Sequence, residues 1–196
     1  MILLDNKSIM NIKNAVRGAR NPLNSWNKSD SVGDKIGTND LKLLCKLVKA
    51  GSDERKFMRQ ILVSIDITAP IYWWKEFDTY KVGTVANSTS TMHKLADTPI
   101  TVDMFSVDYK DDVTFKSFLE YLELLRITYN ISKEKKFWRM LIQYLPESFN
   151  QMRTVTLNYE VLLNMYNARK NHKLVEWKNF CEWIITLPYM KDFIEA

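Results

Sequence analysis

Three groups of residues have the chemistry to hold a small anionic ligand. The run Ser88-Thr89-Ser90-Thr91, preceded by Asn87, offers hydroxyls and backbone N–H groups suited to a phosphate or a ribose. Spacing alone favours a plainer role for it, a hydroxyl-rich turn that caps a helix. Arg169-Lys170 falls near a helix C-terminus, where a cation is also favoured by the helix dipole and by solvent. In the polar stretch around Arg20, Asn24 and Trp26, stacking and hydrogen bonding could close over a base; a surface loop anchored by one Trp is the plainer alternative. Glu76 could accept from a base or ribose, or simply pair with a cation. Trp73 and Trp74 read as core.

Other chemistries are poorly supplied. The chain has two Cys and two His in 196 residues. Cys45 and Cys181 stand far apart without metal spacing, which predicts two buried free thiols and no zinc site. No catalytic residue and no metal ligand is assigned. The net charge of +5 suits an anionic ligand, but 23 acids are interspersed with the basic residues and no dense basic run occurs, so a nucleic-acid polymer is not the expected partner. Met1 to Asp5 lacks the pattern of a signal peptide, and no stretch has the apolar length of a membrane span. A cytoplasmic protein with no membrane partner is expected.

The elements that must carry these residues are mostly helical. Hydrophobic residues at 46%, aromatic residues at 12% and six Trp predict a packed core, and the length suits one domain, 1–196. Residues 17–39 read as an irregular functional loop rich in turn formers. Asn39 or Asp40 is expected to cap a helix that Gly51 stops. Ile61–Ile67 is β-branched and partly alternating, hence a strand, ended by Thr68-Ala69-Pro70. Ile71–Phe77 opens a buried helix or turn. Thr114–Asn130 is an amphipathic helix with Phe115, Phe118, Leu119, Leu122 and Leu125 on one face. Ser132 is expected to cap a further helix running to Tyr144. Arg153–Leu157 reads as a short strand, and Tyr159–Arg169 and Lys173–Thr186 as two more helices. The class is α/β (α+β).

The order of these pieces resembles the flavin-dependent thymidylate synthases. Ala69-Pro70 ends a strand as in that family, and Lys75-Glu76 stands where Arg-Gln would be. Thr79-Tyr80-Lys81 stands in place of the signature Arg-His-Arg, with Asn87 and Ser90 resembling the later Asn and Ser. Leu145-Pro146, then Thr156-Leu157-Asn158, Leu162-Leu163 and Arg169, resemble the family's C-terminal passage, with Glu176 after it. The polar Arg20–Asp30 loop resembles that of phage-encoded relatives.

The resemblance implies a central sheet flanked by helices, a homotetramer with composite sites between chains, and a pyrimidine nucleotide held beside FAD. It raises the hydroxyl run and Arg169 as ligand residues, so that the nucleotide-binding set becomes Arg20, Asn24, Trp26, Lys75, Glu76, Tyr80, Lys81, Asn87, Ser88, Ser90, Thr91, His93, Asn158 and Arg169. The departures point elsewhere. Two bidentate arginines become Thr79 and Lys81, an imidazole becomes the Tyr80 phenol, and Met92 and Ile142 replace further family arginines. The first expectation is therefore a nucleotide-binding protein without the synthase reaction, with no cofactor, of use to a phage in sequestering a host signalling nucleotide in the host cytoplasm. An FAD-dependent thymidylate synthase or pyrimidine nucleotide methyltransferase is the second, and a structural or protein-binding module the third.

Overall fold

The computed structural model describes residues 2–196. Four strands, β1 (Leu3–Met10), β2 (Leu62–Pro70), β3 (Thr84–Ser88) and β4 (Asn150–Asn158), form one sheet in the order β1-β2-β4-β3. The class is mixed α/β, as expected, and the sheet is antiparallel. Side-chain bonds across β2 and β4 show the register: Thr154 pairs with Asp66 at 2.5 Å and Thr156 with Ser64 at 3.3 Å. Alternation explains β2. Val63, Ile65, Ile67 and Ala69 are fully buried, while Leu62, Ser64, Asp66 and Thr68 are half-buried.

Chain contacts divide the molecule into two compact units. The first holds residues 2–3, Ile67–Thr79 and Asn87–Arg153; the second holds Leu4–Asp66, Tyr80–Ala86 and Thr154–Ala196. The first unit contains α3 (Ile71–Phe77), the short α4 (Thr91–Lys94), α5 (Val113–Ser132) and α6 (Lys135–Gln143). Its core gathers Leu119, Leu122 and Leu125 of α5 with Leu95, Phe105, Leu141 and Phe149. Asp112 starts α5 by accepting from the Phe115 N–H at 2.8 Å. Ser132 does not cap the next helix. It is the last residue of α5, its hydroxyl donating back to the Thr128 carbonyl, and Lys133 in the left-handed region (φ 56°) ends the helix.

The second unit contains α1 (Ile12–Ala19), α2 (Thr38–Ala50), α7 (Tyr159–Arg169), α8 (Val175–Ile185) and α9 (Met190–Glu195). Its core is aromatic: Phe57 meets Phe193 edge-on at 5.5 Å, and Trp177 meets Phe180 at 5.9 Å. Gly51 stops α2 as expected, with φ 112°. Asp40 does not cap α2. Its carboxylate is completely buried, and the cap comes from the preceding loop: Asp30 accepts from the Asn39 and Asp40 N–H groups at 2.8 and 3.0 Å. Cys181 is a buried free thiol, pushed up to about 11 by burial. Cys45 is only half-buried, contrary to expectation, and its thiol leans on the Asp192 carbonyl. Among the described residues no helix is long and apolar enough to cross a membrane, and no group of three metal-ligating side chains occurs.

Candidate functional site

In the second unit, Arg169 ends α7, and Tyr80 lies in a tight turn 89 residues away in sequence. The Arg169 Nε donates to the Tyr80 hydroxyl at 3.0 Å. Its guanidinium lies over the rings of Tyr80 (5.6 Å to the centroid) and Trp177 (4.9 Å), and the two rings meet edge-on at 6.1 Å. Arginine suits this position because a planar, delocalised cation stacks on aromatic faces while keeping directional donors at its edge. His172 follows, edge-on to Trp177, with its Nδ1 accepting from the Leu174 N–H. Trp177 escaped the sequence reading because a Trp at helical spacing reads as core; it is core, and it is also a wall for Arg169.

Asn158 serves the same region indirectly. Its side chain caps α7 by accepting from the Val161 N–H at 3.0 Å. Gly83 packs against it. With φ 78°, Gly83 occupies a conformation that favours glycine, and a Cβ there would stand 2.7 Å from the Asn158 amide nitrogen. Lys81, between these residues, is exposed and has no ion-pair partner among the described residues. A lysine left in solvent is a mobile point charge rather than a fixed fork.

The loop residues divide. Arg20 is 6% exposed and bonded through Nε to Asp40 at 2.5 Å. Asp40 also accepts from the Ser29 and Ser31 hydroxyls at 2.6 and 2.5 Å and from the Ser31 N–H at 3.1 Å. Burial pushes the Asp40 carboxyl up, but these hydroxyls and Arg20 outweigh it and hold the group below its usual range. Arg20 thus spends its charge inside the protein. Asn24 and Trp26 are exposed. The Trp26 indole donates to Asn21 at 2.9 Å, and the Arg17 guanidinium covers its ring at 5.4 Å.

In the first unit, Lys75 pairs with Glu147 at the surface, and Glu76 is half-buried, its carbonyl accepting from the Thr79 hydroxyl at 2.7 Å. The hydroxyl run takes the plainer role that its spacing favoured, a turn that caps a helix. Asn87 and Ser88 complete β3, and Thr89 bonds back to the Met152 carbonyl through its N–H at 2.9 Å. Ser90 then caps α4 by accepting from the His93 N–H at 3.3 Å. Asn87, Ser88 and His93 are exposed; Ser90 and Thr91 are half-buried. Beside them is an assembly absent from the sequence reading. The Arg153 guanidinium lies 4.2 Å from the Trp74 ring centre, donates to Asp78 at 2.9 Å and to Gln151 at 3.0 Å, and Gln151 in turn donates to the Thr89 carbonyl. Its signal was the alternation of Gln151 and Arg153 on β4, where polar side chains two residues apart share a face.

No family model and no curated protein matches the sequence. Solved structures do. The thymidylate synthase ThyX of Helicobacter pylori, solved with FAD and dUMP, superposes with a TM-score of 0.78 at 15% identity, covering 100% of both chains. A second structure of the H. pylori flavin-dependent enzyme, also complexed with FAD and dUMP, gives 0.73 at 16% identity over 98% of this chain and 96% of that one. The UMP/dUMP methylase PolB of Streptomyces cacaoi, bound to 5-Br dUMP, gives 0.62 at 15% identity over 95% and 88%. The expectation that no cofactor is involved is overturned here: two of these structures hold FAD on the same architecture. At this identity the likeness establishes the fold, and this chain has the fold of the flavin-dependent thymidylate synthases.

Proposed function

We propose that this chain binds a pyrimidine nucleotide and FAD on a scaffold that no longer carries out thymidylate synthesis. The observation that carries the reading is the Arg169 guanidinium held against Tyr80 and Trp177, with Nε on the Tyr80 hydroxyl. This assembly orients a cationic fork at the position where the resemblance puts a ligand arginine, and such a fork matches the geometry of a nucleotide phosphate. The two other H. pylori and S. cacaoi activities represented on this fold likewise concern uridylate nucleotides.

The donor set of the Asn87–Thr91 segment fits the diphosphate of FAD. It is rich in hydroxyls, largely exposed and free of carboxylates. When bound, FAD supplies redox chemistry at its flavin ring. Loss of the synthase reaction is supported by what the signature positions do. The Thr79 hydroxyl turns back onto the Glu76 carbonyl, and the Tyr80 hydroxyl is occupied by Arg169. Lys81 alone keeps a charge toward solvent. The proposal extends to a homotetramer with sites completed between chains, and to a phage protein that withholds a host signalling nucleotide, a task that needs slow release rather than turnover.

A second reading, a divergent FAD-dependent uridylate methylating enzyme, is favoured by FAD and dUMP in the H. pylori structures. One preparation separates the two. The purified protein is scanned for flavin absorbance, denatured, and its extract chromatographed for nucleotides; a second aliquot receives dUMP, FAD, a reductant and a one-carbon donor. Release of a nucleotide without conversion of dUMP supports binding alone. Conversion of dUMP establishes the enzyme reading. A colourless protein that releases no nucleotide and takes up neither FAD nor dUMP overturns both.

A further inference from the structure

One cleft of the second unit lies outside the set read from the sequence. It has a volume of about 350 Å³ and is lined by Asn11, Asn14, Arg17, Asn21, Arg59 and Gln60, with Gly18 and Leu62 completing it. Four of these eight residues are amides, two are arginines, and none is acidic. Most ligand pockets of this size are apolar with a few polar anchors; a cleft of amides and guanidiniums selects a ligand that is itself polar and anionic.

The amides are pre-ordered. Asn11 donates to the Gln60 carbonyl at 2.9 Å, and Asn14 donates to the Asn11 side-chain oxygen at 2.7 Å. Asn21 accepts from the Trp26 indole at 2.9 Å. These bonds fix which end of each amide is committed. The Asn14 side-chain oxygen and the Asn21 side-chain nitrogen are left as an acceptor and a donor without a partner among the described residues. Gly18 keeps the α1 side of the cleft close to Gln60, since an added Cβ would stand 3.0 Å from its side-chain oxygen.

The charge is also set by named contacts. Arg59 binds the Glu160 carboxylate, and so does Arg55 at 3.0 Å, so two guanidiniums share one carboxylate. Asp53 is close enough to act on Arg59 as well. Arg17 is exposed, held over Trp26, and has no ion-pair partner among the described residues. At the start of α1, Asp34 accepts from the Lys13 N–H at 3.0 Å.

We infer that this cleft is a second ligand site, which takes a phosphate monoester on a small hydroxylated body, with Arg17 and Arg59 on the phosphoryl group and Asn14 and Asn21 on the body. It is independent of the nucleotide reading of Arg169.

The test is isothermal titration calorimetry of the full chain with ribose 5-phosphate, and with glutarate as a carboxylate of like charge. Wild-type protein is expected to bind ribose 5-phosphate and to prefer it to glutarate. Arg17→Gln weakens binding by about tenfold or more, the usual effect of losing a charge-assisted bond. Asn14→Asp weakens it as well, by placing a negative charge in the cleft. Both Arg17 and Asn14 are exposed, and circular dichroism checks that the variants fold. No binding of ribose 5-phosphate by wild type, equal binding by the Arg17 and Asn14 variants, or a preference for glutarate would each overturn the proposal. Failure of the nucleotide reading is seen separately, as absence of dUMP binding.

Discussion

The loop from Arg20 to Asp40 and the segment from Asn87 to Lys94 have similar compositions, polar and rich in hydroxyls, yet the structure uses them in opposite ways. In the loop, the hydroxyls of Ser29 and Ser31 converge on one buried carboxylate, Asp40, which also holds Arg20. Asp30 reciprocates by capping α2. Gly37 permits that approach, because a Cβ there would collide with the Asp30 carboxylate. In the Asn87–Lys94 segment no buried carboxylate gathers the hydroxyls: Thr89 pairs with Met152 and Gln151 of β4, Ser90 caps a single turn, and most side chains face solvent. Polar residues around a buried charge build structure; polar residues without one stay available to a ligand. A loop that reads as a ligand lid can therefore be architecture that, of its three candidate residues, leaves only Asn24 and Trp26 exposed.

The sharpest way to break this contrast is to remove Asp40. Asp40→Ala leaves Arg20 buried without its counter-charge and strips the partner of Ser29 and Ser31, and the expected loss is about 3–5 kcal/mol in urea unfolding. The double variant Asp40→Ala, Arg20→Ala should cost less than the two single losses added together, because each removes the same pair. The pH dependence follows from the same carboxylate. Its folded pKa is lowered, so its contribution is fully present above the unfolded value near 4 and is lost as pH falls through the folded value. Glu160 acts in the same direction: burial raises it, but Arg59, Arg55 and Ser52 outweigh burial. The urea midpoint should thus hold steady from about pH 7 to pH 5 and drop below about pH 4. Asp40→Asn should shallow that drop; a variant with the wild-type acid profile would remove Asp40 as its source.

Next in size is Arg169. Arg169→Gln removes the fork but keeps a polar side chain, and dUMP affinity is expected to fall about tenfold to a hundredfold. Tyr80→Phe removes only the hydroxyl that accepts from Nε and keeps the ring, so a fall of less than about tenfold is expected. Equal effects from the two would mean that Tyr80 meets the ligand itself rather than orienting Arg169. Gly83→Ala tests the backbone beneath them. It strains a positive φ and drives a Cβ against the Asn158 cap, at an expected cost of about 1–3 kcal/mol in thermal or urea unfolding.

What was legible in the sequence divides along the same line. Local signals placed α7 at Tyr159–Arg169 and the buried face of α5, and left Ile71–Phe77, which is α3, as a buried helix or turn, because periodicity and capping act within a few residues. The strands β1 and β4 were missed or shortened. In β1, Asn6 adopts a positive φ and bonds to Asp66, which breaks the alternation. The roles of Asp40 and Arg153 were illegible because their partners lie 9 to 20 and 75 residues away. Tyr80 entered the candidate set through resemblance to a family, and the same resemblance raised Arg169, 89 residues away, above its plainer reading. Resemblance favoured both residues; it did not say that one hydroxyl orients the other's guanidinium.

The smallest effect belongs to the segment that the contrast leaves free. Ser90 is the sole side-chain cap of α4, a helix of four residues with no buried side chain of its own. Such a turn gains little from packing and depends on its cap. Ser90→Ala should cost about 1 kcal/mol locally while leaving the global urea midpoint nearly unchanged, since the four residues of α4 bury no side chain. Hydrogen exchange separates these quantities: the amides of His93 and Lys94 should exchange faster in the variant, and those of α5 should not. If the α5 amides speed up together with His93, the segment is part of the cooperative core of its unit. The hydroxyl run would then be architecture of the same kind as the Asp40 loop, and its role toward a diphosphate would lose its support.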